Sequence, residues 1–336
     1  MPSPEFNLLL YLTGDVYKPP PVTLPKNINW EIFLRLSARN KVLYHVLLEL
    51  EKNSQIDIEP EINNILIEIK ERGDEQYQKF CATLEAVNEA LDINTYVLFK
   101  TYKAYPLVTH DIDLIVKDKK EAINNLKKEN FILNSSYYHE NHFERNGLLE
   151  VEVSDVISYG DSIFLDNEIL WSGSRKISID GIKIHLPSSE GEILSFMARM
   201  SFQWYEIGLG DLLYIFRISS LADWNLMAKQ ADKYRWYQTF CRTSSILDNI
   251  HRKIYGEASI INRCFVNEGD IEIDLPYVFS FSETTRAFVE KDIKNLIKLP
   301  SYVAVRLRKK HWDIYKAYSF VVLDKLAPFL LGYSNK

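Results

Sequence analysis

The stretch that decides the fold is THDIDLIV, residues 109–116. Its run of leucine and β-branched residues is typical of a buried strand, and two aspartates alternate with apolar residues at its start. Side chains two apart on a strand lie on one face, so Asp111 and Asp113 project together while Ile112 and Leu114 face a core. Two adjacent carboxylates repel each other, and a divalent cation with oxygen ligands would neutralise them.

The aspartate pair alone is weak evidence, because a chain with 46 acidic residues has about six acid-x-acid patterns by chance. A second acidic strand strengthens it. Asn146-Gly147 lies between HFER and LLEVEVSDV and predicts a two-residue hairpin turn, since both positions tolerate a positive φ. The strand after this turn has Glu150 and Glu152 on one face. A hairpin beside the aspartate strand would bring one of these glutamates to the pair.

A short apolar run, YVLF at residues 96–99, precedes the aspartates and has strand character. It ends at Lys100-Thr101, with nine further residues before Asp111. A cation and a hydroxyl at the end of a strand suit the phosphate groups of a nucleotide. A solvated lysine at a strand end is the competing interpretation.

Taken together, these residues resemble the polymerase-beta-like nucleotidyltransferase superfamily. The likeness rests on VLFKT at 97–101 and DIDLIV at 111–116, and it is strongest to an uncharacterised branch with a V-L-K-G…D-I-D-L-L-V pattern. It covers residues 30–215 and includes the acidic hairpin and LGDLL at 209–213.

The resemblance implies an activity and a set of site residues. Asp111, Asp113 and Glu152 would hold two Mg²⁺ ions, and Lys100 and Thr101 would contact the triphosphate of an NTP. The implied reaction transfers a nucleoside monophosphate from the NTP to an acceptor, which could be a small molecule, a protein or RNA. Glu152 would share a metal or take the proton from an acceptor hydroxyl.

Two departures from the family pattern keep alternatives open. Lys100-Thr101-Tyr102 stands where the loop glycine is common, so close approach of the backbone to a phosphate is less assured. The third acid is a glutamate, and Glu150 competes with Glu152 for that place. The alternatives are a catalytically inactive scaffold or partner-binding protein on the same fold, and a toxin-like or antitoxin-associated transferase acting on RNA.

The expected fold class is α+β, with a small mixed β-sheet nucleotidyltransferase core flanked by helical units at both ends. The expected division is an N-terminal helical region over 1–90, the α/β core over 91–187 and a mainly helical region over 188–336. Helical spacing predicts N-terminal helices over 30–52, 60–71 and 74–91.

Turn and capping residues predict several local features. A charged helix over 118–129 would be capped by Asp118, and FILNSSYY at 131–138 has strand character. Asp180-Gly181 predicts a second hairpin, which Pro187 would end. Ser189 with Glu192 predicts a capping box for a helix running toward Trp204. Weak strand character is expected near 271–281, and Pro300 is expected to break the last helical stretch.

Composition limits the class of protein. The net charge is −6, which argues against broad nucleic-acid binding. Three distant cysteines and no C-x-x-C pair argue against a disulfide framework and a structural zinc site. The first residues lack the basic start of a signal peptide, and no apolar run is long enough for a membrane span. We therefore expect a cytoplasmic protein.

Three other motifs are given structural interpretations. His139 and His142 are three apart, so on a strand they face opposite sides and do not form a metal pair. Gly208-Leu209-Gly210 lacks a preceding strand and a third glycine, which excludes a dinucleotide fingerprint. The basic run at 306–311 is either a solvated helix face or a surface for an anionic partner such as RNA or lipid.

Overall fold

A computed structural model describes residues 3–14, 24, 27–53, 56, 58–103, 105–106, 108–137, 139–159, 162–202, 207–261, 287 and 290–291. The predictions of weak strand character near 271–281, of a break at Pro300 and of a basic run at 306–311 lie outside these residues. No helix in the described part of the chain is long and apolar enough to cross a membrane.

The described elements are mixed helices and strands. The helices are α1 (Pro4–Gly14), α2 (Trp30–Arg39), α3 (Leu43–Lys52), α4 (Pro60–Ala90), α5 (Lys119–Lys128), α6 (Glu168–Trp171), α7 (Ser189–Phe202), α8 (Leu209–Ser219), α9 (Trp224–Lys233) and α10 (Tyr237–Tyr255). The strands are β1 (Tyr96–Phe99), β2 (Asp111–Val116), β3 (Ile132–Tyr137), β4 (Glu140–Glu144), β5 (Glu150–Ser154), β6 (Ser158–Tyr159), β7 (Ser162–Ile163), β8 (Arg175–Ile179) and β9 (Ile182–Leu186).

The main sheet has five strands in the order β1-β2-β5-β4-β3. β2 and β5 run parallel, with Asp111 opposite Glu150 and Asp113 opposite Glu152, whereas the other neighbours are antiparallel. A parallel pair needs a long crossover, and here α5, β3 and β4 make it. This mixed sheet with its surrounding helices confirms the predicted α+β fold class.

The two faces of the sheet differ because apolar and polar residues alternate along β2 and β5. On one face Leu114, Val151 and Val153 are buried in a core that includes residues of α4 and α5. On the opposite face the acids lie at the start of β2, and Ile115 further along joins a second core with residues of α7, α8 and α10. The carboxylates therefore lie where the strands emerge from the helical core.

The prediction of one helix over residues 30–52 is wrong, because the chain turns between α2 and α3. Lys41 adopts a φ of +59° at this turn. The side chain of Asn40 donates to the Leu36 carbonyl and accepts from the Leu209 N–H at 3.0 Å. Gly208 permits the approach, since a Cβ there would lie 2.7 Å from the Asn40 carbonyl oxygen. A contact distant in sequence thus fixes the end of α2.

The prediction of two helices over 60–71 and 74–91 is also wrong, because α4 is continuous. Gly73 lies inside it, where a Cβ would approach the Tyr44 ring to 2.3 Å. The Tyr44 hydroxyl donates to Asp74 at 2.6 Å. Gly73 is a packing site for α3 rather than a helix break.

Turn and cap predictions are partly confirmed. Asp180-Gly181 forms the predicted two-residue hairpin with φ values of +46° and +86°. Asp118 caps α5 by accepting from the Glu121 N–H at 2.9 Å. The hairpin of β4 and β5 also forms, but its connection spans 145–149 and only Gly147, not Asn146, has a positive φ.

The predicted capping box at Ser189 is wrong. The hydroxyl of Ser188 accepts from the Gly191 N–H at 3.0 Å, so the cap lies one residue earlier. Glu192 contacts the Arg175 guanidinium and the Tyr214 hydroxyl, each at 2.6 Å. The carboxylate of Glu192 therefore forms a buried tertiary ion pair instead of the predicted capping box.

Candidate active site

Three neighbouring strands present polar side chains on one face of the sheet. β2 contributes Asp111 and Asp113, and the parallel register places Glu150 and Glu152 of β5 directly opposite them. On the other side of β5, His142 of β4 lies opposite Glu152. Because opposed residues share a face, Asp111, Asp113 and Glu152, the acids that the family resemblance assigned to the site, lie on one face of the sheet.

Lys100 supplies positive charge to this face. Its Nζ lies 2.9 Å from Oδ1 of Asp113, and both side chains are mostly buried. Lys100 has a φ of +60°, and the Thr101 N–H donates to the Phe99 carbonyl at 2.7 Å around it. This tight turn after β1 aims the lysine back at the aspartate strand.

Thr101 and Thr109 position the aspartates. The hydroxyl of Thr101 is buried, donates to the Phe99 carbonyl at 3.0 Å and accepts from the Asp113 N–H at 3.2 Å. Thr109 lies beside Asp111, with its hydroxyl 3.2 Å from the Asp111 carboxylate. Contact of Thr101 with a nucleotide stays a prediction, and in this conformation its hydroxyl is engaged by the backbone.

Ionisation of the carboxylates on this face is electrostatically unfavourable. Burial, together with the charges of Asp113 and Asp111, raises the pKa of Glu152 to about 9, although Lys100 opposes the shift. Burial and the neighbouring Asp113 also raise the pKa of Asp111. Negative charge is therefore in excess on this face, and a bound cation would relieve it.

The two glutamates of β5 have different surroundings. Glu150 contacts Nδ1 of His142, and a third of its side chain is exposed. The side chain of Glu152 is 21% exposed and its Oε1 lies 3.5 Å from Nδ1 of His142. Its carboxylate also interacts with the charges of both aspartates. Glu152 is therefore the more enclosed of the two and the one coupled to the aspartate pair.

A small cleft opens beside these groups. Its polar lining is Lys100, Asp113, Glu140, Glu152, Ser154 and Ser158. Apolar side chains, including Phe99 and Ile157, form the rest of the wall. A phosphate-bearing ligand in this cleft would have both the lysine and the carboxylates within reach.

Sequence reasoning missed the contribution of β4. Ligand atoms of Glu140, His142 and Glu152 lie within 4.8 Å of one another, which is close enough to hold a metal ion. His139 precedes the strand, so only His142 of the H-x-x-H motif belongs to this face. The sequence pattern that could have indicated this contribution is Glu140-x-His142. Residues two apart on a strand lie on one face, as Glu150 and Glu152 do on β5.

A family described as "Uncharacterised nucleotidyltransferase" matches residues 26–248, a segment that contains the whole main sheet and its acidic face. The chain belongs to this family. Membership confirms the nucleotidyltransferase-type assignment, whereas the branch within the superfamily stays a prediction. Neither the search of curated proteins nor that of solved structures found a significant match.

Proposed function

We propose that this member of the Uncharacterised nucleotidyltransferase family is a Mg²⁺-dependent enzyme that transfers a nucleoside monophosphate from an NTP to an acceptor hydroxyl. The observation that carries the proposal is the parallel register of β2 and β5, which sets Asp113 opposite Glu152 and Asp111 opposite Glu150. Carboxylates from two strands thus converge beside a cleft that also contains a lysine.

The residues present fit a hard divalent cation. Asp111, Asp113 and Glu152 offer carboxylate oxygens, which are the donors that Mg²⁺ prefers. The raised pKa of Glu152 reflects negative charge that a bound dication would offset. When bound, two Mg²⁺ would polarise the α-phosphate and stabilise the charge on the attacking and leaving oxygens.

The protein's own groups have three tasks in this proposal. The three carboxylates would hold the Mg²⁺ ions. The Lys100 ammonium, which contacts Asp113 in the described conformation, turns to the phosphates of the NTP. The acceptor oxygen forms a bond to the α-phosphorus, the bond to pyrophosphate breaks, and Glu152 accepts the acceptor's proton.

Thr101 has a positioning role beside its predicted contact with the triphosphate. Its hydroxyl accepts from the N–H of Asp113 and so ties the end of β1 to the aspartate strand. Division of the chain into three regions, with boundaries after residues 90 and 187, stays a prediction.

The test is transfer of label from α-³²P-labelled NTPs to candidate acceptors in Mg²⁺. Asp113→Asn preserves the shape of the side chain and removes one charged ligand, so we expect transfer to fall at least about a hundredfold. Asp118→Asn is the matched control, because it makes the same change at the exposed cap of α5, where asparagine also caps well.

Two outcomes would count against the proposal. The first is a wild-type rate that Asp113→Asn leaves unchanged. The second is a wild-type protein that transfers no label and shows no Mg²⁺-dependent NTP binding by calorimetry, which would favour the inactive scaffold instead.

A further inference from the structure

Beyond the aspartate pair, β4 adds a nitrogen donor to the carboxylate face. We propose that Glu140, His142 and Glu152 form a site for a divalent transition-metal ion such as Mn²⁺, distinct from the Mg²⁺ position at Asp111 and Asp113. The site shares Glu152 with the proposed active site, but its occupancy does not depend on nucleotide transfer.

The sheet register builds the site. Glu140 and His142 are two residues apart on β4 and therefore lie on one face, and His142 is directly opposite Glu152 of β5. Ligand atoms of the three side chains lie within 4.8 Å of one another, the spacing needed to converge on one ion. Both strands are hydrogen-bonded sheet interior, so the donors are held on a rigid support.

Glu150 provides an independent indication of a metal-binding histidine. Its carboxylate contacts Nδ1 of His142. Histidines that bind metals commonly donate one ring N–H to a carboxylate, which fixes the tautomer and leaves the other nitrogen as a ligand. Nδ1 of His142 also lies 3.5 Å from Oε1 of Glu152. The donor nitrogen would be Nε2 when the Nδ1 proton stays with Glu150, and Nδ1 when it does not.

The donor set predicts which ions bind. Mg²⁺ favours all-oxygen coordination and keeps much of its water, whereas imidazole nitrogen suits transition-metal ions such as Fe²⁺, Ni²⁺ and Zn²⁺, and the two glutamates also suit Mn²⁺. One histidine with two glutamates is therefore better matched to a transition-metal ion. The cleft reaches this position, because Glu140 and Glu152 both belong to its wall.

The arrangement also gives a role to Glu150, which has none in the proposed nucleotidyltransferase mechanism. Of the two glutamates on β5, Glu152 would be shared by the two metal positions and Glu150 would orient His142. This division explains why both acids of the strand face the same side without competing for one role.

The experiment uses the full chain with Mn²⁺ and no nucleotide. Pulsed EPR of bound Mn²⁺ detects a coordinated imidazole through nitrogen modulation, and we expect this signal in the wild-type protein. Labelling with ¹⁵N-histidine should shift the modulation, which identifies histidine without any substitution. His142→Gln should abolish the signal and weaken Mn²⁺ binding at least about tenfold in calorimetry.

His139→Gln is the matched control from the same H-x-x-H motif and should retain both signal and affinity. Glu150→Gln should keep the nitrogen signal and weaken Mn²⁺ binding by about tenfold. The proposal is overturned if the wild-type Mn²⁺ spectrum has no histidine nitrogen, or if the nitrogen signal persists in His142→Gln. Loss of transfer activity alone would count against the enzyme proposal and leave this site standing, because the readout contains no nucleotide.

Discussion

At the residue scale, Glu152 holds the central position of the carboxylate face. It is opposite Asp113 on one side and His142 on the other, because β5 lies between β2 and β4. Burial and the charges of the two aspartates raise its pKa above the ordinary value of a glutamate. Ionisation of Glu152 in the metal-free protein therefore lowers the free energy of unfolding.

This cost predicts a pH dependence of stability. Because the pKa of Glu152 is raised in the folded state, its contribution to stability is fully present below the ordinary pKa of glutamate. That contribution is lost as pH rises toward the folded-state pKa of about 9. Glu152→Gln carries no ionisable group and avoids this loss. Measured by urea unfolding in EDTA, its stability relative to wild type should rise by more than about 1 kcal/mol from about pH 5 to about pH 8.

Glu121→Gln, on the exposed first turn of α5, is the control and should show no such slope. Adding Mg²⁺ should stabilise the wild-type protein more than Glu152→Gln, since the variant lacks one charged ligand. A stability difference that stays constant over the pH range would refute the assignment of a buried, uncompensated charge to Glu152.

At the element scale, α4 shows how packing overrides local helix signals. Gly73 and Asp74 have the composition of a helix end, yet the helix runs through them from Pro60 to Ala90. The glycine leaves room for the Tyr44 ring of α3, whose hydroxyl is bonded to Asp74. The absence of a side chain at Gly73 thus lets α3 and α4 pack closely.

Gly73→Ala tests this packing role. Alanine favours a helix over glycine by about 1 kcal/mol, but the new Cβ would overlap the Tyr44 ring, and such overpacking costs about 1–3 kcal/mol. We expect net destabilisation of about 1 kcal/mol in chemical denaturation. Asn64→Ala, at an exposed position of α4, is the control and should be neutral or slightly stabilising. Equal stabilisation by both substitutions would contradict the packing explanation.

At the scale of the whole molecule, Asp211 connects three parts of the chain. It lies in the first turn of α8 and contacts Lys41 of the α2–α3 turn at 2.7 Å and Lys103 of the β1–β2 connection at 3.2 Å. Burial alone would raise the pKa of Asp211, but the two lysines lower it below the ordinary value. The contact with Lys103 ties a residue close to Lys100 to the first turn of α8.

Asp211→Asn should therefore destabilise the protein by about 3 kcal/mol at neutral pH, because it removes the carboxylate that both ammonium groups contact. A lowered pKa contributes stability above the ordinary pKa of aspartate, and that stability is lost as pH falls. The difference from wild type should shrink in acid, measured by urea unfolding at several pH values. Asp223→Asn, at the exposed cap of α9, should change little. A pH-independent difference would contradict the ionic contribution.

The sequence by itself determined the features that depend on local periodicity and turn chemistry. Alternation along DIDLIV and EVEVS places the two acids of each strand on one face of that strand, and Asp180-Gly181 and Asp118 form the turn and the cap that their residue types predict. Membership of a nucleotidyltransferase family also follows from these motifs. These signals operate within a few residues, so no distant contact is needed to read them.

Only the tertiary structure decided which strands are neighbours and which side chains meet across the chain. The order β2-β5-β4 brings His142 to Glu152, and the contact of Glu192 with Arg175 and Tyr214 displaces the expected cap to Ser188. Gly73 accommodates the Tyr44 ring within a continuous α4. The physical reason is that strand pairing and buried contacts join residues far apart in sequence, and their free energy exceeds the small local preferences that a sequence pattern records.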